Sequence, residues 1–289
     1  MAVSQPIVLS IAGFDPCSGA GVTADIKTVA AHGCYALACI TALTVQSTAG
    51  VVSVQSVAPK LVSDTLGELV RDFEISGVRI GMLGSGEIVE VLARFLTRHP
   101  LPNVVLDPVF KSSSGAELLE AKAIKKLREE LLPLAAVITP NVDEATKLTG
   151  LPVTTVAEMK AAANKLHEFG ARNVVVTGGD IAGGQVEKAI DLLSIAGTNC
   201  EPEQTQFASQ RVRSNATHGT GCAFASALAA NLALGKQLPD AVVLAKAFVK
   251  KAIEAARPLG RGRGPLHHLY RLEETPRPAQ DSLLPAKDH

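Results

Sequence analysis

The chain has 289 residues, 47% hydrophobic and 19% charged, a balance that provides a sizeable buried core and argues against disorder. Its 28 basic residues match 28 acidic ones, so there is no net field to collect nucleic acid or hold it to an anionic membrane. Aromatics are 3% with no Trp, which argues against a base-stacking surface, and no apolar run is long enough to span a membrane.

In chain order, short Val- and Ile-rich runs at 7–11, 78–83, 104–106, 135–138 and 174–176 each stop abruptly at Gly, Pro or a polar residue. They are too short for helices and predict strands buried on both faces. Segments 20–32, 60–74, 87–98, 121–131 and 155–169 lie between them with helical character. The alternation predicts an α/β fold: a central, mostly parallel sheet with helices on both faces. Segments 35–46 and 51–57 predict extra strands flanking the first helix, and 188–194 a further late pair. Residues 219–234 are nearly all small and apolar, as in a helix at the protein centre, and 238–256 predict an amphipathic one. No linker or repeat divides the chain, so one domain over 1–272 is expected, with a loosely ordered tail over 273–289 rich in Pro and charge.

The five cysteines, at 17, 34, 39, 200 and 222, are odd in number and form no C-x-x-C pair. The first residues have no basic start leading into an apolar run. Both features predict a cytoplasmic protein.

In an open parallel sheet, ligands bind beyond the carboxyl ends of the strands. Gly13, residues 81–83, Asp107, Asn141 and 177–179 fall at such ends. The strongest local signal is Thr217-His218-Gly219-Thr220-Gly221-Cys222, which opens the long apolar helix. The amides of a first helical turn have no internal partner and, with the helix dipole, suit a phosphoryl group. Cys222 would sit in that turn, where the same field favours thiolate. The alternative is a glycine turn feeding a buried helix. A dinucleotide G-x-G-x-x-G is excluded by Phe224 at the third glycine position, and a P-loop because Gly235-Lys236 is followed by Gln237.

Asn141 and Glu144 are three apart where a helix begins, a spacing that suits either Mg²⁺ and phosphates or a capping box. Asp107 closes an apolar strand and is the better metal candidate, with a turn before Pro108 as its other role. Asp25 and the glycine-rich loop before it suit a polar substrate or a helix start, and Gln46 suits the edge of a heterocycle or a solvated turn. His267 and His268 are adjacent, face different ways and have no third ligand, so they are taken as structural.

Taken together, Gly13…Asp15, Gly19-Ala20-Gly21, Ala24-Asp25-Ile26-Lys27-Thr28, Thr41-Ala42-Leu43-Thr44…Gln46, Gly81-Met82-Leu83, Asp107-Pro108-Val109, Thr139-Pro140-Asn141…Glu144, His218-Gly219-Thr220-Gly221-Cys222 and Gly264-Pro265…His267 form an ordered set. The chain resembles the hydroxymethylpyrimidine/phosphomethylpyrimidine kinases of thiamin biosynthesis, a branch of the ribokinase-like vitamin kinases. The resemblance covers about residues 7–270. It implies ATP- and Mg²⁺-dependent phosphorylation of 4-amino-5-hydroxymethyl-2-methylpyrimidine and then of its monophosphate, by a homodimer.

Carried across, it implies that Gln46 reads the pyrimidine while Gly13, Asp25, Met82 and Val109 line its pocket. Gly219, Thr220 and Gly221 would form the anion hole with Cys222 as base. Asn141, Thr177, Gly179 and Lys246 would meet the nucleotide, and Asp107 and Glu144 would organise Mg²⁺. The set departs from the family in two places. Cys17-Ser18-Gly19 stands where Ser-Gly-Gly is common, which stiffens the first loop, and Thr177 and Asp180 replace the Lys and His of Val-Lys-Gly-Gly-His. The lost Lys charge makes Lys111 or Lys246 a candidate substitute. Two alternatives remain: a pyridoxal kinase using the same site, and a non-catalytic vitamin-binding regulator.

Overall fold

A computed structural model of the chain describes residues 5–112, 114–179, 187–197 and 201–273. Asp180, Cys200 and the expected tail beyond 273 lie outside the described residues. The first half runs β1 (Ile7–Phe14), α1 (Gly21–Ala31), β2 (Tyr35–Ser47), β3 (Gly50–Ser56), α2 (Pro59–Asp72), β4 (Gly77–Ile80), α3 (Gly86–Arg98), β5 (Val104–Leu106) and α4 (Ala121–Lys126). The second half runs β6 (Val137–Ile138), α5 (Val142–Thr149), α6 (Val156–Glu168), β7 (Asn173–Gly178), β8 (Lys188–Ile195), β9 (Glu203–Gln210), α7 (Thr220–Ala233), α8 (Leu238–Glu254) and α9 (Tyr270–Glu273).

Among the described residues one nine-stranded sheet has the order β3-β2-β1-β4-β5-β6-β7-β8-β9. From β2 to β7 every pair is parallel; β3, β8 and β9 join antiparallel. The strand side chains alternate between two apolar layers, as a period of two requires. Leu9, Ile11, Val104, Leu106, Val174 and Val176 pack with α2, α3, α5 and α6, whereas Val8, Val105, Val137 and Val175 pack with α1, α7 and α8. That double burial makes the strand sequences continuously apolar.

The expected helix over 121–131 changes winding: α4 passes into a wider turn over Leu127–Leu131 and a tight turn over Leu132–Leu134. Pro133 has no N–H to continue the ladder. The late pair is β8 with β9, a strand the sequence pattern does not reveal. Glu203–Gln210 is mostly polar and largely exposed because it closes an edge of the sheet, with Phe207 turned to the core. Helix α7 has nine consecutive buried residues, Ala223–Asn231, as its small apolar sequence predicts.

Candidate active site

The carboxyl ends of β1, β4, β5, β6 and β7 open along one rim, and α7 begins there. Gly219 caps α7 in the left-handed region at φ 86, with no side chain bonded to the first-turn amides. A Cβ there would lie 1.8 Å from the Gly19 carbonyl oxygen, so glycine is required both for the backbone angle and for the approach of the two loops. A Cβ on Gly221 would meet nothing within 4 Å, so the turn formed by Gly219, Thr220, Gly221 and Cys222 is open on its outer side.

Behind this turn lies a charged cluster in the core. Arg79, on β4, is fully buried, donating from Nη1 to Asp25 at 3.1 Å and from Nη2 to Asp107 at 2.6 Å. Asp25 also accepts from Ser10 at 2.6 Å and Ser226 at 2.7 Å. This corrects the expected place of Asp25 in the substrate pocket: with no exposure and hydrogen bonds from three side chains, it is part of the floor. Burial raises its pKa against the pull of Arg79, Ser10 and Ser226.

The expected thiolate is corrected too. Burial pushes the Cys222 thiol up to about 11; Arg79 opposes the rise, while Asp107 and Asp25 add to it. Cys222 is therefore a thiol at neutral pH, because burial of the sulfur, with the two carboxylates adding to it, outweighs the pull of Arg79.

Asn141 and Glu144 form a reciprocal capping box: the Glu144 amide donates to Asn141 Oδ1 at 2.9 Å, and the Asn141 amide to Glu144 Oε2 at 2.9 Å. Burial and then Asp107 raise the Glu144 pKa well above the ordinary value, and burial pushes Asp107 up to about 6 against the pull of Arg79. Two nearly buried carboxyls that disfavour each other's charge suit a hard divalent cation, and oxygen donors fit Mg²⁺. Among the described residues no group of three ligand-type side chains could hold a metal alone.

Thr177 bridges to Asn141 on the next strand end, and Gly179 is exposed beside it. The neighbouring Gly178 amide donates to Asp191 at 3.0 Å, and Lys246 donates to the same carboxylate at 2.5 Å. Lys246 is thus not the free charge expected in place of the family's Lys, because Asp191 neutralises it; Lys111 is exposed in a loop.

Met82 and Val109 meet in an apolar cluster with Ala42 and Leu118, and a Cβ on Gly13 would lie 2.9 Å from the Met82 sulfur. Gly13, Met82 and Val109 are therefore brought together, as expected. Gln46 lines a cleft of ≈ 360 Å³ with His218, the 47–50 turn, Ser114, Gly262 and Arg263. Its rim is sewn at Thr48, whose hydroxyl accepts from the Arg261 and Gly262 amides at 3.1 and 3.2 Å and whose carbonyl accepts from Arg263 at 3.1 Å. A Cβ on Gly262 would sit 2.0 Å from that carbonyl.

Sequence reasoning missed three residues, Arg79, Asp15 and His218. Asp15 accepts from the Cys17, Gly19 and Ala20 amides, and His218 Nε2 lies 2.8 Å from it. Burial works to raise Asp15, but His218 and these amides hold its carboxyl below the ordinary range. In the same loop Ser18 has φ 58, a conformation natural to glycine, so the Ser-for-Gly departure falls on a residue that feels it.

A family model described as phosphomethylpyrimidine kinase matches residues 15–267. The chain belongs to this family. A hydroxymethylpyrimidine/phosphomethylpyrimidine kinase of Haemophilus influenzae is 40% identical over 261 residues, covering 90% of this chain and 96% of that protein. A thiamine biosynthesis bifunctional protein of Geobacter sulfurreducens is 41% identical over 267 residues, 92% of this chain; the chain spans about half of that longer relative, 53%. Among solved structures, the ADP complex of Bacillus subtilis pyridoxal kinase superposes with a TM-score of 0.83 at 33% identity, covering 93% of this chain and all of that one. The phosphomethylpyrimidine kinase fold is thus the ribokinase-like one expected from the sequence. No described helix is long and apolar enough to cross a membrane.

Proposed function

We propose that the chain is an ATP-dependent kinase that phosphorylates 4-amino-5-hydroxymethyl-2-methylpyrimidine and then its monophosphate. The observation that carries this reading is the open start of α7, which has no side-chain cap and holds Cys222, backed by Arg79 and Asp107. The first-turn amides are aimed where charge develops on a transferring phosphoryl group. Asn141, Thr177 and Gly179 meet the nucleotide, and Asp107 and Glu144 hold Mg²⁺, which supplies neutralisation of phosphate charge. Gln46 reads the heterocycle, with Met82, Val109 and Gly13 as the apolar wall.

In the reaction the substrate oxygen bonds to the γ-phosphorus as the bridging P–O bond breaks, ADP leaving with the electron pair. Cys222 is the group placed to take the hydroxyl proton. It does so as thiolate, a minor form below pH 11, so position and charge stabilisation provide most of the rate. We also infer one domain through residue 272, a cytoplasmic enzyme and a homodimer, on the family resemblance.

The test is purified protein with ATP, Mg²⁺ and the hydroxymethyl pyrimidine, with products resolved by mass. Mono- and diphosphate are expected. Pyrimidine binding without ADP release would instead support the non-catalytic regulator. The likeness to a pyridoxal kinase supports a second reading, phosphorylation of pyridoxal at the same site, and competition between the two substrates separates them.

A further inference from the structure

The proposed chemistry has no task for His218, which is 5% exposed and lines the same cleft as Gln46. Its Nε2 lies 2.8 Å from Asp15 Oδ2 and 3.2 Å from the terminal Gln46 atom assigned as Nε2. Asp15 is 3% exposed and accepts from three backbone amides, at 2.8, 3.2 and 2.9 Å. An ionised carboxylate in such a nest only accepts, so the imidazole nitrogen facing it carries a proton. A nitrogen that carries a proton cannot also accept one, so the end of the Gln46 amide nearest to it must be the carbonyl.

The other end of the amide leads to the same orientation independently. Thr44 Oγ1 lies 3.3 Å from the terminal Gln46 atom assigned as Oε1 and 2.9 Å from the Phe14 carbonyl. The Phe14 carbonyl can only accept, so it takes the single hydroxyl proton, and Thr44 presents lone pairs to Gln46. An NH₂ group satisfies that contact and a second carbonyl does not. Both neighbours therefore select the amide orientation opposite to the assigned one, since the oxygen and nitrogen of a terminal amide are told apart by their hydrogen-bond partners.

We propose that Asp15 and His218 are positioning residues that lock the Gln46 amide with its carbonyl toward His218 and its NH₂ toward Thr44, and that this lock sets the preference for an aminopyrimidine. The inference rests on the kinase reading above. With one lone pair and one N–H left over, Gln46 offers an acceptor beside a donor. An aminopyrimidine offers the complement, an exocyclic N–H beside a ring nitrogen. Because its hydroxymethyl group must point at α7, the ring cannot turn over to suit a reversed amide. A pyridoxal ring has no amino group next to a ring nitrogen and gains nothing from the lock.

The test compares His218→Asn, which has no donor at the Nε2 position, with His218→Gln, whose amide nitrogen reaches it. His218→Asn is expected to raise KM for the hydroxymethyl pyrimidine about tenfold or more, the effect of a mispaired donor, with KM for ATP and pyridoxal affinity unchanged. His218→Gln is expected to restore the pyrimidine KM. An equal loss for pyrimidine and pyridoxal, or a shift in the ATP KM, would make His218 merely structural and overturn the proposal. A second measurement needs no activity: ¹⁵N spectra of histidine-labelled protein are expected to show a proton on His218 Nε2 from pH 6 to 9, and a bare nitrogen there would overturn the lock. If the unaltered protein phosphorylates neither substrate, the kinase reading fails, while the spectra still decide whether the lock exists.

Discussion

Arg79→Met removes the one cation between two buried carboxylates. Arg79 and Asp25 side chains are 0% exposed and Asp107 is 6%, with ion-pair distances of 3.1 and 2.6 Å. Removing one partner of a buried pair costs about 3–5 kcal/mol, a large part of a total stability of roughly 5–15 kcal/mol. Protonation caps the loss. A carboxyl with an unfolded pKa near 3.9 can be neutralised at about 4 kcal/mol at pH 7, but at only about 1.5 kcal/mol at pH 5.

The sign follows from the direction of the shifts. Both carboxyls have pKa values raised by burial, with Asp107 at about 6, and Arg79 works against the rise in each. Without it they rise further, so the folded variant binds more protons than the unfolded chain and loses stability as pH climbs. Urea unfolding of both proteins at pH 5 and pH 7 reads this directly. The expected deficit is about 3–5 kcal/mol at pH 7, falling to half or less at pH 5. A deficit below about 1 kcal/mol, or one that grows on acidification, would refute the reasoning.

Cys222→Ala should leave ATP binding intact and cut turnover by about a hundredfold or more, the usual contribution of a positioned base. In the unaltered protein turnover should rise from pH 7 to pH 9 as thiolate accumulates below about 11, whereas the Ala variant should give a flat profile by steady-state assay. Gly219→Ala puts a methyl 1.8 Å from the Gly19 carbonyl at a left-handed residue, so thermal unfolding should drop and phosphoryl transfer should be lost. Thr177→Lys returns a cation to the nucleotide rim, and KM for ATP should fall severalfold with the pyrimidine KM unchanged.

The parallel strands were legible because burial on both faces makes them continuously apolar, and α7 because a central helix has no polar side. Strand β9 was not, since an exposed edge strand carries Gln, Glu and Thr without an apolar rhythm. Arg79 left a faint mark, a single charge inside Gly77-Val78-Arg79-Ile80, but its partners lie 54 and 28 positions away and only the sheet order joins them. Asp15 and His218 stand in quoted motifs, yet they are 203 positions apart, so nothing local couples them. The ionisation of Cys222 was misjudged because the start of a helix was weighed without the burial of the sulfur and the carboxylates that the fold brings behind it.

The stitch at Thr48 makes the mouth of the Gln46 cleft a joint product of two distant stretches of chain, one near residue 48 and one at 261–263. An enzyme cut short before Gly260 would keep its sheet and every catalytic side chain named above. It would nonetheless lose the brace on the β2–β3 finger, leaving the heterocycle's doorway ajar. On the proposed reading, grip on the substrate thus depends on this distant segment as much as on Gln46 itself.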